Sequence, residues 1–387
     1  MGVRLPPVLQ AREGDRGHLR RPGGAPRARR AALEALTRAP TGVAFLGAGW
    51  ISRVYAAALA RAGGAKLLAV ASRSAQAAEK LAGEHGARGF AFDALSELLA
   101  TPGLELVCVN SPNHLHAAQA LAALEAGKHV VLEKPLCLTL DQADALCAAA
   151  TRHGKVLGYA ENLCFAPLYR RARALLREGA VGRVLWARQV EKHGGPYSPW
   201  FWQRAEAGGG ALLDMGCHGI EALRFVFDKP AVRGVSARLA TTLHADKTEL
   251  DDEAWVRLEL DGGVHWISES SWAVQSGMQS TLEVHGSEGS LFVDLLTETG
   301  LRLSKPGGAT THPMLDPLLD HGYVGELTHF LAASAGAPLE ESGDDGRAVL
   351  EILLAAYASA GQGGREIALP YRPPAGVTTP IALWKPG

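Results

Sequence analysis

A lysine at the end of an apolar run is the residue in this chain best placed to polarise an oxygen atom. Lys134 follows the run 129–132 and Glu133, and it precedes Pro135, which has no N–H with which to continue a strand. Such runs are typical of parallel strands covered on both faces, and open parallel sheets bind small molecules beyond the carboxyl ends of their strands. We therefore expect Lys134 to reach a ligand crevice. A solvated pair of Glu133 and Lys134 is the structural alternative.

An acid and a histidine, Asp214 and His218, are the second candidate group for proton transfer. They follow the glycine run 208–210 and lie four residues apart in the segment 211–227, whose apolar spacing predicts a helix with both on one face. A histidine beside a carboxylate can accept a proton from a hydroxyl group near neutral pH and return it in the reverse direction. An ordinary helix-stabilising pair would have the same spacing.

The elements that must position these residues begin with a glycine turn. An apolar run, 43–46, leads into Gly47 and Gly49, and a helix-prone segment, 54–62, follows. Gly47 permits a tight turn, and Gly49 lets the backbone approach a pyrophosphate, which the free N–H groups and the dipole of the helix stabilise. A second strand predicted over 66–71 completes a βαβ unit of the dinucleotide-binding type, although a glycine turn can also be a simple connection.

The end of the second predicted strand indicates which dinucleotide binds. Sites for NAD usually have an acidic residue there, whereas this chain has Ser72, Arg73 and Ser74. A guanidinium and hydroxyl groups can bind the 2′-phosphate of NADP through charge-assisted hydrogen bonds, so we expect NADP to be preferred over NAD. A solvated loop arginine would be the simpler role of Arg73.

A further strand and loop face the same crevice. The apolar run 104–109 predicts a strand that ends in Asn110 and Pro112, which can shape a loop beside a nicotinamide before a helix over 117–126. His116 can contact the cofactor or pack in the interior.

Taken together, these motifs resemble those of the glucose-fructose oxidoreductase, inositol dehydrogenase and MocA family, over roughly residues 42–370. The resemblance rests on the glycine turn, the loop after Asn110, the sequence Glu-Lys-Pro, and the Asp-x-Gly-x-His motif that follows three glycines. It implies an α/β Rossmann domain followed by an α+β domain with an open, mainly antiparallel sheet. It also implies that Lys134, Asp214 and His218 are catalytic.

The resemblance supplies expectations for individual residues. Lys134 would polarise the reacting oxygen, and His218 would be the general acid-base, oriented by Asp214; in some family members the lysine is more central to proton transfer. Two positions depart from the common pattern, because Glu221 replaces a frequent Asp and Cys164 a frequent polar or basic residue. The predicted cofactor contacts are Gly47, Gly49, Trp50, Ile51, Ser72, Arg73, Asn110, Pro112, His116, Glu133, Lys134 and Asn162.

The segment 191–203 is expected to determine the substrate. Its glycines and prolines indicate a loop. Its aromatic faces and neighbouring donors suit a polyhydroxylated ring, whose C–H faces stack while its hydroxyl groups form hydrogen bonds. The tryptophans could equally anchor the loop. The predicted substrate contacts are Lys134, Lys192, His193, Tyr197, Trp200, Trp202, Asp214 and His218.

Charge and cysteine content limit the possible partners. The chain has 39 basic and 40 acidic residues, so no global field favours nucleic acid or a membrane surface. Residues 1–41 form an arginine-rich leader that we expect to be mobile, either as a nonspecific basic tail or as the product of a wrongly chosen start codon. The 5 cysteines and 14 histidines show no metal-binding spacing, which predicts no metal and a reducing cytoplasm.

The remaining patterns predict the domain organisation. The expected units are a leader (1–41), a dinucleotide-binding domain (42–160), a substrate and oligomerisation domain (161–345), and a C-terminal helix and tail that return to the domain junction (346–387). Strands are predicted at 233–242, 253–260, 264–271, 280–285 and 290–295, and helices at 322–335 and 346–360. A homodimer or homotetramer is the family-level expectation.

Three functional classes are compatible with these residues. The first is an NAD(P)-dependent oxidoreductase that transfers a hydride between a nicotinamide and a secondary alcohol of a sugar, cyclitol or related polyol. The second is a glycoside-cleaving enzyme that oxidises its substrate transiently with NAD, and the third is a noncatalytic sugar or dinucleotide sensor. Retention of Lys134, Asp214 and His218 favours the first class over the third.

Overall fold

A six-stranded parallel sheet forms the first half of the molecule. The computed structural model describes residues 40–275, 277–314, 316 and 321–385, so the predicted leader 1–41 lies almost entirely outside the described residues. The strands are β1 (Thr41–Leu46), β2 (Ala65–Ser72), β3 (Arg88–Ala91), β4 (Leu104–Val109), β5 (His129–Glu133) and β6 (Leu157–Ala160).

The order of these strands creates a ligand crevice. They lie in the order β3-β2-β1-β4-β5-β6. Strands β2 and β3 are added on one side of β1, and β4, β5 and β6 on the other, so the strand order reverses between β1 and β4. Open parallel sheets bind ligands at such a switch point. Helices cover the sheet because these apolar strands need protection on both faces. They are α1 (Trp50–Ala62), α2 (Ala75–Glu84), α3 (Leu95–Leu99), α4 (Asn113–Glu125) and α5 (Leu140–His153).

A nine-stranded, mainly antiparallel sheet forms the second half. Its strands are β7 (Val184–Lys192), β8 (Val232–Ala240), β9 (Glu253–Leu260), β10 (His265–Ser271), β11 (Gln279–Gly286), β12 (Ser290–Asp294), β13 (Leu301–Lys305), β14 (Gly308–His312) and β15 (Ile367–Ala368). They lie in the order β14-β13-β12-β11-β7-β10-β9-β8-β15. The expected fold class is confirmed, with one parallel pair at the centre, β7 with β10.

The helices of the second half are α6 (Pro167–Arg177), α7 (Arg204–Ala207), α8 (Cys217–Val226), α9 (Tyr323–Ser334) and α10 (Gly343–Gly361). Helices α6, α8 and α10 pack on the second sheet, whereas α9 packs against α1 and α7 against α4 of the first half. Short 3₁₀ turns are found at Asn162–Phe165, Pro199–Trp202 and Pro380–Leu383. The alternation of side chains on β7 shows the two faces, because Gln189 and Glu191 are buried towards the helices whereas Arg188 and Lys192 form ion pairs on the other face with Glu269.

The predicted single helix over 211–227 is wrong in its first part. Residues Leu212–Gly216 form a π-helical turn, and α8 begins only at Cys217. A buried carboxylate shapes this turn, because Asp251 accepts hydrogen bonds from the backbone N–H groups of Gly210 at 2.9 Å and Leu212 at 2.7 Å. Such π-helical turns occur frequently at functional sites.

Within the described residues, no helix combines the length and the apolar character needed to span a bilayer.

The close approach at Gly210 gives a test of this packing. A Cβ atom on Gly210 would lie 1.9 Å from the carbonyl oxygen of Asp251, so Gly210→Ala must displace the glycine turn. We expect it to lower the free energy of unfolding by about 2–3 kcal/mol. Gly83→Ala in α2 is the control, because a Cβ there meets no atom within 4 Å and alanine favours the helix. Thermal unfolding curves that are the same for both variants would contradict the packing.

Candidate active site

Lys134 and Asp214 form a buried ion pair between the two halves of the molecule. Lys134 directly follows β5, and its Nζ donates hydrogen bonds to Asp214 Oδ1 at 2.8 Å and to the Asp214 carbonyl oxygen at 2.9 Å. The exposed fractions of the two side chains are 16% and 7%. The structure therefore brings together two of the predicted catalytic residues at the carboxyl edge of the parallel sheet.

Each member of this pair stabilises the charge of the other. Burial by itself would lower the pKa of Lys134, but the carboxylate of Asp214 outweighs burial and raises that pKa well above the ordinary value of a lysine. Burial would likewise raise the pKa of Asp214, but Lys134 and His193 lower it below the ordinary value of an aspartate. Lys134 is therefore an ammonium, and Asp214 a carboxylate, at neutral pH.

The second carboxylate oxygen of Asp214, Oδ2, also has partners. Trp272 Nε1 donates a hydrogen bond to Asp214 Oδ2 at 3.0 Å, and His193 Nε2 lies 3.5 Å from the same oxygen. His193 therefore lies at the site, where it was predicted. Trp272 directly follows β10, and the alternation of polar and apolar residues on that strand gives no indication of the carboxylate contact.

The prediction that Asp214 orients His218 is wrong. His218 Nδ1 lies 2.7 Å from Glu161 Oε1, whereas the two carboxylate oxygens of Asp214 are engaged by Lys134 and Trp272. Glu161 is fully buried and immediately follows β6. The sequence contained one signal for this residue, a single acidic group within an otherwise uncharged stretch, 157–167, after a buried strand.

The prediction that Lys192 contacts the substrate is also wrong. Strand β7 continues to Lys192, two residues into the segment 191–203 that was predicted to be a loop. The alternation of side chains directs Lys192 to the outer face, where its Nζ lies 2.8 Å from Glu269. Glu191 then points inwards, where it accepts hydrogen bonds from Ser280 at 2.8 Å and Gln189 at 2.7 Å. Burial raises the pKa of Glu191 to about 7.

The aromatic residues of the loop between β7 and α7 serve mainly to anchor it. Trp202 packs edge-on against Trp272, with ring centroids 5.4 Å apart, and Trp200 stacks on Phe201. Tyr197 is 96% exposed and contacts solvent instead of the site. The structure therefore supports the packing alternative for the two tryptophans and does not bring Tyr197 to the predicted substrate position.

The glycine turn has the features of a phosphate-binding backbone. Gly47 has φ +128°, and a Cβ on it would lie 2.4 Å from the carbonyl oxygen of Asn110. Ser52 replaces the usual third small residue and donates a hydrogen bond to the Gly47 carbonyl oxygen at 2.8 Å. Gly49 precedes α1 without a side-chain cap, so the first N–H groups of the helix remain available to an anion.

Polar atoms beside this turn suit the rest of a dinucleotide. Within the described residues, the buried Asn110 Oδ1 and Ser111 Oγ have no hydrogen-bond partner. Buried polar groups normally form hydrogen bonds, and a carboxamide or ribose can satisfy these two atoms. Trp50 is 68% exposed at the first residue of α1, and Pro112 precedes α4. The residues present therefore fit a bound dinucleotide.

His116 has a structural position instead of the predicted cofactor contact. Its ring nitrogens lie 2.8 Å from the carbonyl oxygen of Pro135 and 2.8 Å from that of Ser111, and the ring is buried. Burial lowers the pKa of His116 to about 4, although the two carbonyl groups act in the opposite direction. The imidazole links the loop after β4 to the loop that carries Lys134.

The remaining predicted cofactor contacts lie around the crevice. Arg73 Nη1 lies 2.9 Å from Glu206 Oε2, and half of the arginine side chain is exposed. Glu133 is buried, and burial raises its pKa despite the nearby Lys134 ammonium. The Asn162 amide donates a hydrogen bond to the His321 carbonyl oxygen at 2.7 Å, which ties the segment after β6 to the start of α9.

Comparison with known proteins agrees with this geometry. The protein-family model described as "Oxidoreductase family, NAD-binding Rossmann fold" matches residues 41–161, and the family model of the GFO/IDH/MocA C-terminal domain matches residues 169–292. The chain belongs to the Gfo/Idh/MocA oxidoreductase family. The predicted resemblance is therefore confirmed, and the protein is an NAD(P)-dependent oxidoreductase.

Related proteins share both halves of this architecture. The chain is 34% identical over 253 residues to 1,5-anhydro-D-fructose reductase of Ensifer adhaerens, a match that covers 64% of this chain and 74% of that protein. It is 32% identical over 266 residues to D-glucoside 3-dehydrogenase of Escherichia coli K12, covering 65% and 75%. The crystal structure of GenD2 from gentamicin A biosynthesis in complex with NAD has 31% identity and a TM-score of 0.79, covering 92% of this chain and 100% of that one.

The buried acid behind the site gives a pH-dependent prediction. Above a pH near 4.5 the unfolded chain loses the Glu191 proton, whereas the folded chain keeps it up to about pH 7, so stability falls across that interval and changes no further above it. Glu191→Gln cannot lose this proton. The free energy of unfolding of Glu191→Gln minus that of the wild type should therefore rise by about 2 kcal/mol between pH 5 and pH 8, because the wild type loses stability over this range. Urea unfolding at both pH values measures this difference. A difference that does not change with pH would contradict the raised pKa.

Proposed function

We propose that this Gfo/Idh/MocA protein interconverts a secondary alcohol and a ketone on a sugar, cyclitol or related polyol. The observation that carries the proposal is the buried Lys134 ammonium, fixed by Asp214 at the ligand crevice, with His218 one helical turn further on. The names of the relatives support a carbohydrate substrate, since one is a reductase of an anhydrofructose and another a dehydrogenase of glucosides.

The chain's own residues account for binding of the cofactor. The backbone of Gly47 and Gly49 and the first turn of α1 would hold the pyrophosphate, and Asn110 and Ser111 would receive hydrogen bonds or donate them near the nicotinamide. The nicotinamide, when bound, supplies the hydride acceptor or donor.

Lys134 and His218 have different tasks in this mechanism. Because Lys134 stays protonated, it is a hydrogen-bond donor that polarises the substrate oxygen and stabilises negative charge there, and it is not the base. His218 uses Nδ1 for Glu161, and within the described residues its Nε2 has no partner, so Nε2 can accept the hydroxyl proton and return it in the reverse reaction.

We also propose a preference for NADP over NAD. No carboxylate stands at the end of β2, where it would repel a phosphate, and Arg73 and Ser72 can both bind a 2′-phosphate. Glu206 currently pairs with Arg73 across the crevice, so a 2′-phosphate would compete with this carboxylate for the guanidinium.

Assembly and location complete the proposal. The outer face of the second sheet exposes large apolar side chains, including Trp186 and Trp255, which supports a homodimer or homotetramer formed through this face. Five free cysteines, four of them buried, support a cytoplasmic location.

A coupled assay tests the proposed reaction. Purified protein is mixed with NADP or NAD and a panel of cyclitols, aldoses and glycosides, while absorbance of the reduced cofactor and release of free sugar are followed together. We expect reduced cofactor to accumulate with at least one polyol. Sugar release without net reduction would instead indicate the glycoside-cleaving alternative, and cofactor binding without turnover on any substrate would indicate a sensor.

Two separate lysine substitutions test the role of Lys134. Lys134→Met removes the donor at the substrate oxygen, and we expect turnover to fall by about 100-fold or more, with the fluorescence titration of reduced cofactor little changed. Lys192→Met is the matched control, because Lys192 lies on the outer face of the sheet beside Glu269 and should keep full turnover. Equal activity of the two variants would remove Lys134 from the mechanism.

Substitutions of Arg73 and of its partner Glu206 test the cofactor preference. Arg73→Ala should weaken NADP binding by roughly 10-fold or more and leave NAD binding unchanged, because only NADP carries the 2′-phosphate that the guanidinium would bind. Glu206→Gln should strengthen NADP binding several-fold, because it frees Arg73. Calorimetric titrations with both cofactors measure these effects, and wild-type protein that binds NAD more tightly than NADP would reject the preference.

A further inference from the structure

We propose that Glu161 is a positioning residue for His218 and that it fixes the ring so that Nε2, not Nδ1, exchanges the substrate proton. The inference deepens the proposed function, since it concerns the acid-base group of the same site. It assigns to Glu161 the task that the sequence motif suggested for Asp214.

The geometry of the contact carries the first step. Glu161 Oε1 lies 2.7 Å from His218 Nδ1, and no part of the Glu161 side chain is exposed to solvent. Glu161 Oε2 has no hydrogen-bond partner within the described residues. A buried carboxylate with a single strong partner holds that partner firmly, because the alternative is an unpaired buried charge.

The second step concerns which ring nitrogen carries the proton. In the proposed arrangement Glu161 accepts this hydrogen bond, so Nδ1 of His218 carries the proton that faces it. In the neutral imidazole, Nε2 then carries the lone pair. When Nε2 takes up the hydroxyl proton, the adjacent carboxylate stabilises the imidazolium, as the aspartate does in a serine protease triad.

The third step is the attachment of Glu161 to the backbone. Glu161 caps the 3₁₀ turn Asn162–Phe165, and its Oε1 also accepts the N–H of Leu163 at 3.4 Å. Asn162 is tied to the His321 carbonyl oxygen. The carboxylate therefore stands on a segment that is fixed at both ends, between β6 and α6, while His218 comes from α8.

A metal ion is the competing explanation for this cluster. Glu161, Cys217 and His218 place one ligand atom each within 4.8 Å of one another. However, burial raises the pKa of the Cys217 thiol, and the thiol lies close enough to Lys134 to feel the positive charge of the ammonium. A neutral thiol and a nearby cation both oppose binding of a further cation, so a hydrogen-bonded pair explains the cluster better.

The first experiment is independent of turnover. In protein labelled with ¹⁵N-histidine and saturated with reduced cofactor, His218, assigned by comparison with His218→Asn, should show the Nδ1-protonated form at neutral pH. In Glu161→Ala this preference should be lost. A wild-type His218 protonated at Nε2, or a spectrum unchanged by Glu161→Ala, would overturn the proposal, as would one equivalent of bound metal that His218→Asn removes.

The second experiment is a double-mutant cycle on the active substrate. Glu161→Gln should lower kcat by about 10- to 100-fold with KM nearly unchanged, because the lost charge acts only when His218 is protonated. In the His218→Asn background the same substitution should change kcat by less than about twofold. Equal losses in both backgrounds would show that Glu161 is merely structural and would overturn the proposal.

Glu191→Gln is the matched control for this cycle. Glu191 is a second buried acid near His218, but its hydrogen bonds go to Ser280 and Gln189. Its substitution should leave kcat within about threefold of the wild-type value. A loss of kcat as large as that of Glu161→Gln would count against a specific role for Glu161. If no polyol is turned over, the proposed function fails, whereas the tautomer measurement still decides the role of Glu161.

Discussion

The buried ion pair of Lys134 with Asp214 is the interaction on which the rest of the site depends. Removing two charges from water costs several kcal/mol per ion, and mutual attraction compensates only when the geometry is good and the other lone pairs are satisfied. The structure meets this condition, because the lysine also bonds to the Asp214 carbonyl oxygen and Trp272 satisfies the second carboxylate oxygen. The ion pair thereby joins the two halves of the molecule at the crevice.

The surroundings of Asp214 follow from this demand. Asp214 lies within the π-helical turn Leu212–Gly216, directly before α8. That turn depends on Asp251, whose carboxylate binds two backbone N–H groups and is itself held by the hydroxyl group of Tyr357 at 2.7 Å. A second buried acid thus supports the first without touching the lysine. His218 is left to a different partner, Glu161, so the lysine and the histidine of the site are positioned by separate acids.

Much of the fold could be predicted from the sequence, because apolar runs and glycine turns are local signals. The strand 104–109, the strand 253–260 and the fifth parallel strand before Lys134 were all recognisable from their composition. The contacts of Glu161 and Trp272 could not be predicted, since their partners lie more than fifty residues away along the chain. The predicted loop 191–203 began two residues too early, and this small error had a large effect, because alternation along β7 directs Lys192 to the outer face, away from the site.

The histidine between the two crevice loops has a consequence for how this protein can diverge. His116 contacts the carbonyl oxygens of Ser111 and Pro135, so the loop that follows β4 and the loop that presents Lys134 are bound to one rigid ring. A neutral imidazole has one N–H and donates to one of the two carbonyl groups, so a change of length or backbone conformation in the loop that carries this carbonyl would leave it unpaired, at a cost of about 1–3 kcal/mol. Attempts to graft a new cofactor loop into this scaffold should therefore transfer both segments and the imidazole as one block.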